Sequence, residues 1–109
     1  MTSRKYRLSR IAEVELLELW TYLFEQSLSE QRADKVIGNI VLKFANLAEF
    51  PLRGRSRDDL GDGYRSFSLD RYVVYYRLVW DGIEISHVLH GAQDESQVYF
   101  ALQEPADPS

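Results

Sequence analysis

Hydrophobic residues recur at intervals of three and four residues over two stretches in the first half of the chain, the spacing of an amphipathic helix. The first stretch comprises Ala12, Leu16, Leu19, Trp20 and Leu23. The second comprises Ala33, Val36, Ile37, Ile40, Phe44, Leu47 and Ala48. Ser9 and Ser29 precede these stretches as suitable N-cap residues, and Pro51 follows the second. Because the connector is short, the two helices are expected to pack as an antiparallel hairpin.

The hydrophobic spacing changes after Pro51 from a helical period to the alternation of β-strands. Three segments show this alternation or are rich in β-branched and aromatic residues: 64–69, 72–80 and 83–90. Turn sequences at Asp70-Arg71 and Asp81-Gly82 separate them, so three antiparallel strands are expected. Residues 4–8 also alternate and predict one more short strand before the helices.

The predicted fold class is α+β, with the order β-α-α-β-β-β and the helical hairpin packed on one face of a small twisted antiparallel sheet. The sequence from Asp94 to Gln97 resembles a capping box and predicts a short C-terminal helix. We expect a single domain over residues 1–103 and a flexible tail over 104–109. Trp20 and Trp80 are expected to pack in the core or on the sheet, and Gly38 to mark a close approach of the helices.

The chain of 109 residues has no cysteine and a net charge of −4. The lack of cysteine excludes disulfides and thiolate zinc sites, and it fits a reducing cytoplasm. The acidic total argues against a general nucleic-acid binder, because such proteins need a basic excess to displace counterions from phosphates. No apolar stretch approaches the roughly 18 residues of a bilayer span, so we expect no membrane association.

Positive charge is nevertheless concentrated between residues 53 and 77, which hold six arginines against four aspartates. Arg53, Arg55 and Arg57 lie within a few residues of Asp58, Asp59 and Asp62. Either these side chains form local ion pairs in a solvated loop, or the arginines contact a protein or phosphate surface. Gly61 and Gly63 are interpreted as positions of positive φ at the turn into the first strand of the sheet.

Arg65 and Arg77 are predicted to lie on neighbouring strands beside Tyr64, Tyr75 and Tyr76. Such residues could form a mixed cationic and aromatic surface, although core packing explains the aromatic residues equally well.

His90, at the end of a strand, could act as a general acid or base, but a structural or binding role is the favoured interpretation. His87 and His90 are expected to point to opposite faces of their strand, which argues against a shared metal site. We expect neither a metal ion nor a cofactor.

The order of the elements and three strings together resemble the ParE branch of the RelE/ParE superfamily, the toxins of bacterial type II toxin–antitoxin pairs. The resemblance covers about Tyr6 to Asp94, and its strings are YRLSRIAEVELLELWTYL, FPLRGRSRDDLGDGYRSFSLDRYVVYYRL and GIEISHVLHGAQD. Such toxins typically end in a motif resembling Arg-Val-Leu-His-Gly-Ala-Arg-Asp. This chain departs from the motif at His87 and Gln93, which replace permanently charged residues near the end of the last strand.

The resemblance implies a cytoplasmic bacterial toxin that inhibits DNA gyrase by binding, and that a ParD-like antitoxin neutralises in a hetero-oligomer. Operator DNA would be contacted only through the antitoxin. No catalytic residues are expected under this interpretation. The expected target- or partner-binding residues are Arg53, Arg55, Arg57, Tyr64, Arg65, Arg71, Tyr75, Arg77, His90 and Gln93.

Two alternatives stay open on the sequence. The first is a RelE-like, ribosome-dependent mRNA interferase, an endoribonuclease that would require Arg65, Arg77 and His90 to converge. The second is a detoxified family member that serves only in antitoxin complex formation and autoregulation, which the replacements at His87 and Gln93 would suit.

Overall fold

The computed structural model describes residues 5–90 and contains two helices and five strands. In chain order these are β1 (Lys5–Leu8), α1 (Arg10–Ser27), α2 (Glu30–Glu49), β2 (Arg55–Ser56), β3 (Tyr64–Leu69), β4 (Tyr72–Val79) and β5 (Gly82–His90). The predicted C-terminal helix, the tail over 104–109 and Gln93 lie outside the described residues.

Both helices begin where the sequence predicts, because each is capped by a serine. The Ser9 hydroxyl accepts a hydrogen bond from the backbone N–H of Ala12 at 3.0 Å, and the Ser29 hydroxyl accepts one from Arg32 at 3.2 Å. Leu28, with a φ of 54°, ends α1 in the left-handed conformation. The two helices therefore fold back on each other through a connector of two residues.

The five strands form one sheet in the order β1-β5-β4-β3-β2. Strands β3, β4 and β5 are antiparallel neighbours, as predicted, while β1 pairs parallel to β5. The sheet is therefore mixed rather than wholly antiparallel. The pattern also did not predict β2, since two residues are too few to show a period.

The helical hairpin covers one face of this sheet, which confirms the predicted α+β architecture. Ala12, Phe44 and Leu47 from the helices pack with residues of the inner sheet face. Tyr76, Val74, Ile83 and Ile85 supply that face and have no exposed surface. The opposite side of the sheet, the outer face, carries the alternating residues of the same strands.

The hairpin between β4 and β5 differs from the prediction by one residue. Its two turn residues are Trp80 and Asp81, and Gly82 already belongs to β5, where it pairs with Val79 and with Lys5. The prediction that Trp80 packs on the sheet is wrong, because its place at the tip leaves it 99% exposed. Trp20 does pack, stacking on Phe24 with a centroid separation of 5.5 Å.

Two glycines have roles that differ from those the sequence suggested. A Cβ on Gly82 would lie 1.7 Å from the Lys5 carbonyl oxygen, so a glycine is required where β1 approaches β5. Gly38 was predicted to mark close helix packing, but a Cβ there would have no neighbour within 4 Å. It lies on the solvent side of α2, and the prediction is wrong.

Candidate functional site

Arg57 is the buried anchor of the arginine-rich loop, the segment over residues 50–63 between α2 and β3. Its Nε and Nη2 atoms donate to the two carboxylate oxygens of Asp59, each at 3.0 Å, and its guanidinium carbon lies 5.8 Å from the centre of the Tyr75 ring. These hydrogen bonds hold the pKa of the Asp59 carboxyl below its ordinary value of 3.8, against a smaller opposing effect of desolvation. Arg57 is only 4% exposed, so it serves the loop rather than presenting charge to a partner.

The same loop covers part of the outer face of the sheet. Leu60 and Tyr75 form a small buried cluster there, with Val73 and Leu89 packed against it. Gly61 and Gly63 have positive φ values of 153° and 81°, which confirms their interpretation as turn residues. The loop is thus a folded part of the domain, and Tyr75 is core rather than surface.

Arg65 is also engaged within the fold. Its Nε and Nη2 atoms donate to the Gly54 carbonyl oxygen at 3.0 and 2.6 Å, and Nη2 donates to the Leu52 carbonyl oxygen at 3.2 Å. Next to it, the Tyr76 hydroxyl accepts from the Gly54 N–H at 2.9 Å and donates to the Pro51 carbonyl oxygen at 2.7 Å. Together the two side chains fasten the segment after α2 to the sheet.

Arg53, Arg55 and Arg71 are exposed. Arg53 donates to the Asn46 side-chain oxygen at 2.7 Å and lies over the Phe50 ring, with 4.9 Å between its guanidinium carbon and the ring centre. Arg55 lies on β2 opposite Ser66. Arg71 occupies the tight turn between β3 and β4, beside Asp70, which has a φ of 57°. These side chains remain accessible to a partner.

Arg77 lies on the outer face in a row of charged residues that crosses three strands. Its Nε atom donates to Glu84 Oε1 at 3.1 Å, while Arg7 Nε donates to Glu84 Oε2 at 3.2 Å. The strand registers align these residues, since Glu84 pairs with both Arg7 and Arg77. Tyr64 continues the row on β3. Arg7 and Glu84 were not among the residues predicted from the sequence.

The three groups that an mRNA interferase would need do not converge. Arg65 pairs in register with Tyr76 and is bonded to the loop on the helix side of the sheet, whereas Arg77 lies on the outer face. His90 pairs with Tyr72, five residues along β4 from Arg77 and therefore about 17 Å away. The rings of His90 and Tyr72 meet edge to face at 5.8 Å, and burial raises the pKa of the Tyr72 hydroxyl.

A groove lies between α1 and the end of β5, next to His90. It has a volume of about 370 Å³ and is lined by Glu15, Glu18, Leu19, Tyr22, Val88, Leu89 and His90. Strand β1 pairs only with residues 82–85 of β5, so the edge of β5 beyond Ile85 faces α1. The groove therefore combines apolar walls with a strand edge that has no neighbouring strand within residues 5–90.

Glu15 of α1 caps part of that strand edge. Its carboxylate accepts a hydrogen bond from the Val88 backbone N–H at 3.0 Å and lies 3.1 and 3.2 Å from His87 Nδ1. His87 is 3% exposed. His87, one of the two departures from the motif named above, is thus a buried partner of α1. Sequence reasoning missed Glu15, and its helix-face position gave no signal of this contact.

Two kinds of site are absent from the part of the chain that the structure describes. No three histidine, aspartate or glutamate side chains between residues 5 and 90 are grouped so as to hold a metal ion. Neither α1 nor α2 has the length and apolar character needed to cross a bilayer.

Known proteins resemble this chain in fold and in sequence. A solved chain of the chromosomal ParDE TA system from P. aeruginosa superimposes with a TM-score of 0.68 over 81% of this chain and 96% of that one, at 18% identity, which shows a common fold. Toxin ParE1 of Caulobacter vibrioides is 37% identical over 87 residues, or 80% of this chain and 88% of that protein. Toxin ParE1 of Mycobacterium tuberculosis is 29% identical over 93 residues, or 84% and 94%.

Residues 6–95 match the family model described as the ParE toxin of type II toxin-antitoxin system, parDE. The match begins inside β1 and extends over both helices and the other four strands. The chain belongs to the ParE toxin family, as the sequence resemblance indicated.

Proposed function

We propose that this protein arrests bacterial growth from the cytoplasm by binding DNA gyrase, and that a ParD-like antitoxin binds and neutralises it. Membership of the ParE family supports the toxin role. The separation of Arg65, Arg77 and His90 is the observation that favours binding over catalysis. RNA cleavage needs an acid, a base and a cation around one phosphate, and these groups lie on different faces and ends of the sheet.

The antitoxin is proposed to occupy the groove between α1 and β5. The Val88 N–H bonds to Glu15, away from β4. Since the N–H and C=O of a residue in an antiparallel strand point to the same side, the Val88 carbonyl also faces the groove. An extended segment could pair with this edge while its alternate side chains contact Leu19 and Tyr22, which is the mode of β-strand addition.

Growth assays with and without the antitoxin test this proposal. Induction of the protein alone is expected to stop growth and trigger a DNA damage response, and co-expression of the antitoxin encoded beside it should restore growth. Stalled translation with truncated mRNA before any DNA damage would overturn the gyrase target. Unimpaired growth would instead indicate the detoxified alternative.

A charged residue in the groove tests the antitoxin site separately. Tyr22→Glu, at a groove position that is 52% exposed, is expected to leave the protein folded and toxic but to prevent its rescue, because a carboxylate opposes docking of an apolar segment. Leu42→Glu, at a position 70% exposed on α2, is the matched control and should still be rescued. Rescue of both variants would exclude the groove.

A further inference from the structure

The row of Arg7, Glu84 and Arg77 on the outer face has the features of a binding site for paired carboxylates. Each arginine uses only its Nε–H toward Glu84, at 3.2 and 3.1 Å. A guanidinium has five N–H donors, so Glu84 leaves the four terminal N–H groups of each arginine unused. Within residues 5–90 no other hydrogen bond engages either guanidinium, and their side chains are 62% and 46% exposed.

Glu84 makes this a preorganised pair rather than two mobile side chains. The Glu84 side chain is only 19% exposed. Its Oε2 atom accepts from Arg7 and its Oε1 atom accepts from Arg77. The two guanidiniums are therefore held on either side of Glu84, and they are carried by β1 and β4, whose backbones lie two strand spacings, or about 10 Å, apart. With two positive charges and one negative charge, the row keeps a net positive charge for an anion.

We propose that this row binds an acidic helix of a protein partner, laid across the strands, with carboxylates about seven residues apart. Seven residues of α-helix rise about 10.5 Å, which matches the spacing of about 10 Å between the two strands that carry the arginines. The planar fork of terminal N–H groups suits a carboxylate, which it binds through two parallel hydrogen bonds. This inference is independent of the proposed gyrase target, because it concerns only the chemistry of the outer face.

Nucleic acid fits this surface less well. The chain has a net charge of −4, and a duplex with its dense phosphates would be repelled by the rest of the molecule. Single strands bind largely through bases stacked on open aromatic rings. On the outer face, Tyr75 is buried and the Tyr64 ring lies against Gly61, where an added Cβ would be 2.9 Å from ring carbons.

Fluorescence anisotropy with the full-length protein tests the proposal. The probe is a labelled helical peptide of about 16 residues with two glutamates seven positions apart. A permuted peptide with the glutamates on opposite helix faces and a DNA duplex of about 15 base pairs are the comparison ligands. We expect the first peptide to bind most tightly, and its affinity to fall as salt rises.

Arg7→Gln and Arg77→Gln should each weaken binding of that peptide about tenfold, since each removes one charged, two-bonded contact. Arg32→Gln is the matched control, because it makes the same charge change at an exposed position on α2 and should bind as the parent does. Glu84→Gln keeps both arginines and tests preorganisation: it should reduce the preference for the first peptide over the permuted one. Circular dichroism checks that the variants are folded.

Three results would overturn the inference. The first is equal loss of affinity in Arg32→Gln and Arg77→Gln, which would indicate general electrostatic attraction. The second is binding of the duplex at least as tight as that of the peptide, which would assign the row to nucleic acid. The third is no peptide binding at about 1 mM.

Discussion

At the scale of single residues, the arginines divide into those that build the fold and those that face solvent. Arg57 is bonded to the Asp59 carboxylate, and Arg65 is bonded to the Gly54 carbonyl oxygen. Arg55 and Arg77 remain accessible. Replacing Arg55, Arg57 and Arg65 together is therefore expected to disturb the fold as well as any partner contact. Variants that probe binding should spare Arg57 and Arg65.

Tyr76→Phe is expected to destabilise the domain by about 1–3 kcal/mol. The substitution removes a hydroxyl that both accepts from the Gly54 N–H and donates to the Pro51 carbonyl oxygen, leaving two polar groups without that partner. Urea denaturation measures the change. Tyr22→Phe, at a position 52% exposed, is the control and should stay within about 0.5 kcal/mol of the parent. Equal stabilities of the two variants would contradict this role.

Asp59 should make the free energy of unfolding depend on pH in the acid range. Because Arg57 lowers its pKa below 3.8 in the folded state, the unfolded chain binds more protons at low pH. The stabilisation that ionised Asp59 gives to the folded state is thus present above about pH 4 and is lost as pH falls through the folded-state pKa. Asp59→Asn should make the free energy of unfolding depend less on pH in the acid range. Asp58→Asn is the matched control, and an identical flattening in both variants would count against the Arg57 contact.

At the scale of elements, the helices and three main strands followed from the sequence because their hydrophobic spacing is long and unbroken. Ser9 and Ser29 marked the helix starts by a local hydrogen bond that any chain of this sequence can form. The position of β1 in the sheet did not follow, because pairing between residues 5–8 and 82–85 is set by the whole fold. The same holds for the contact of Glu15 with Val88.

A pair of glycine substitutions tests the element packing. Gly82→Ala should destabilise the domain at the upper end of about 1–3 kcal/mol, since the new Cβ collides with the Lys5 carbonyl and displaces β1. Gly38→Ala should stabilise it by up to about 1 kcal/mol, because the site is open and alanine favours the helix. Chemical denaturation compares them, and stabilisation by Gly82→Ala would refute the close approach of β1.

At the scale of the whole molecule, the fold separates the two surfaces that we propose as binding sites. The groove between α1 and β5 presents a strand edge and apolar walls. The outer face presents paired guanidiniums across three strands. The two proposed interactions can therefore be tested by separate substitutions, in the groove and on the outer face.

The candidate site was less predictable than the fold. Arg77 and His90 were expected from their residue types, but Arg7 and Glu84 lie 77 residues apart in sequence and meet only through the parallel pairing of β1 and β5. Trp80 was misassigned because a one-residue shift in the hairpin moves a side chain from the sheet to the tip. Registers of this kind depend on long-range contacts, which a local pattern does not contain.

The most direct measurement is a DNA cleavage assay with purified gyrase, ATP, supercoiled plasmid and the full-length protein. If the protein acts by binding gyrase, cleaved plasmid should accumulate after detergent and protease treatment, and prior mixing with the antitoxin should prevent it. An intact plasmid, together with cleavage of mRNA in the A-site of ribosomes exposed to the same preparation, would contradict the binding mechanism.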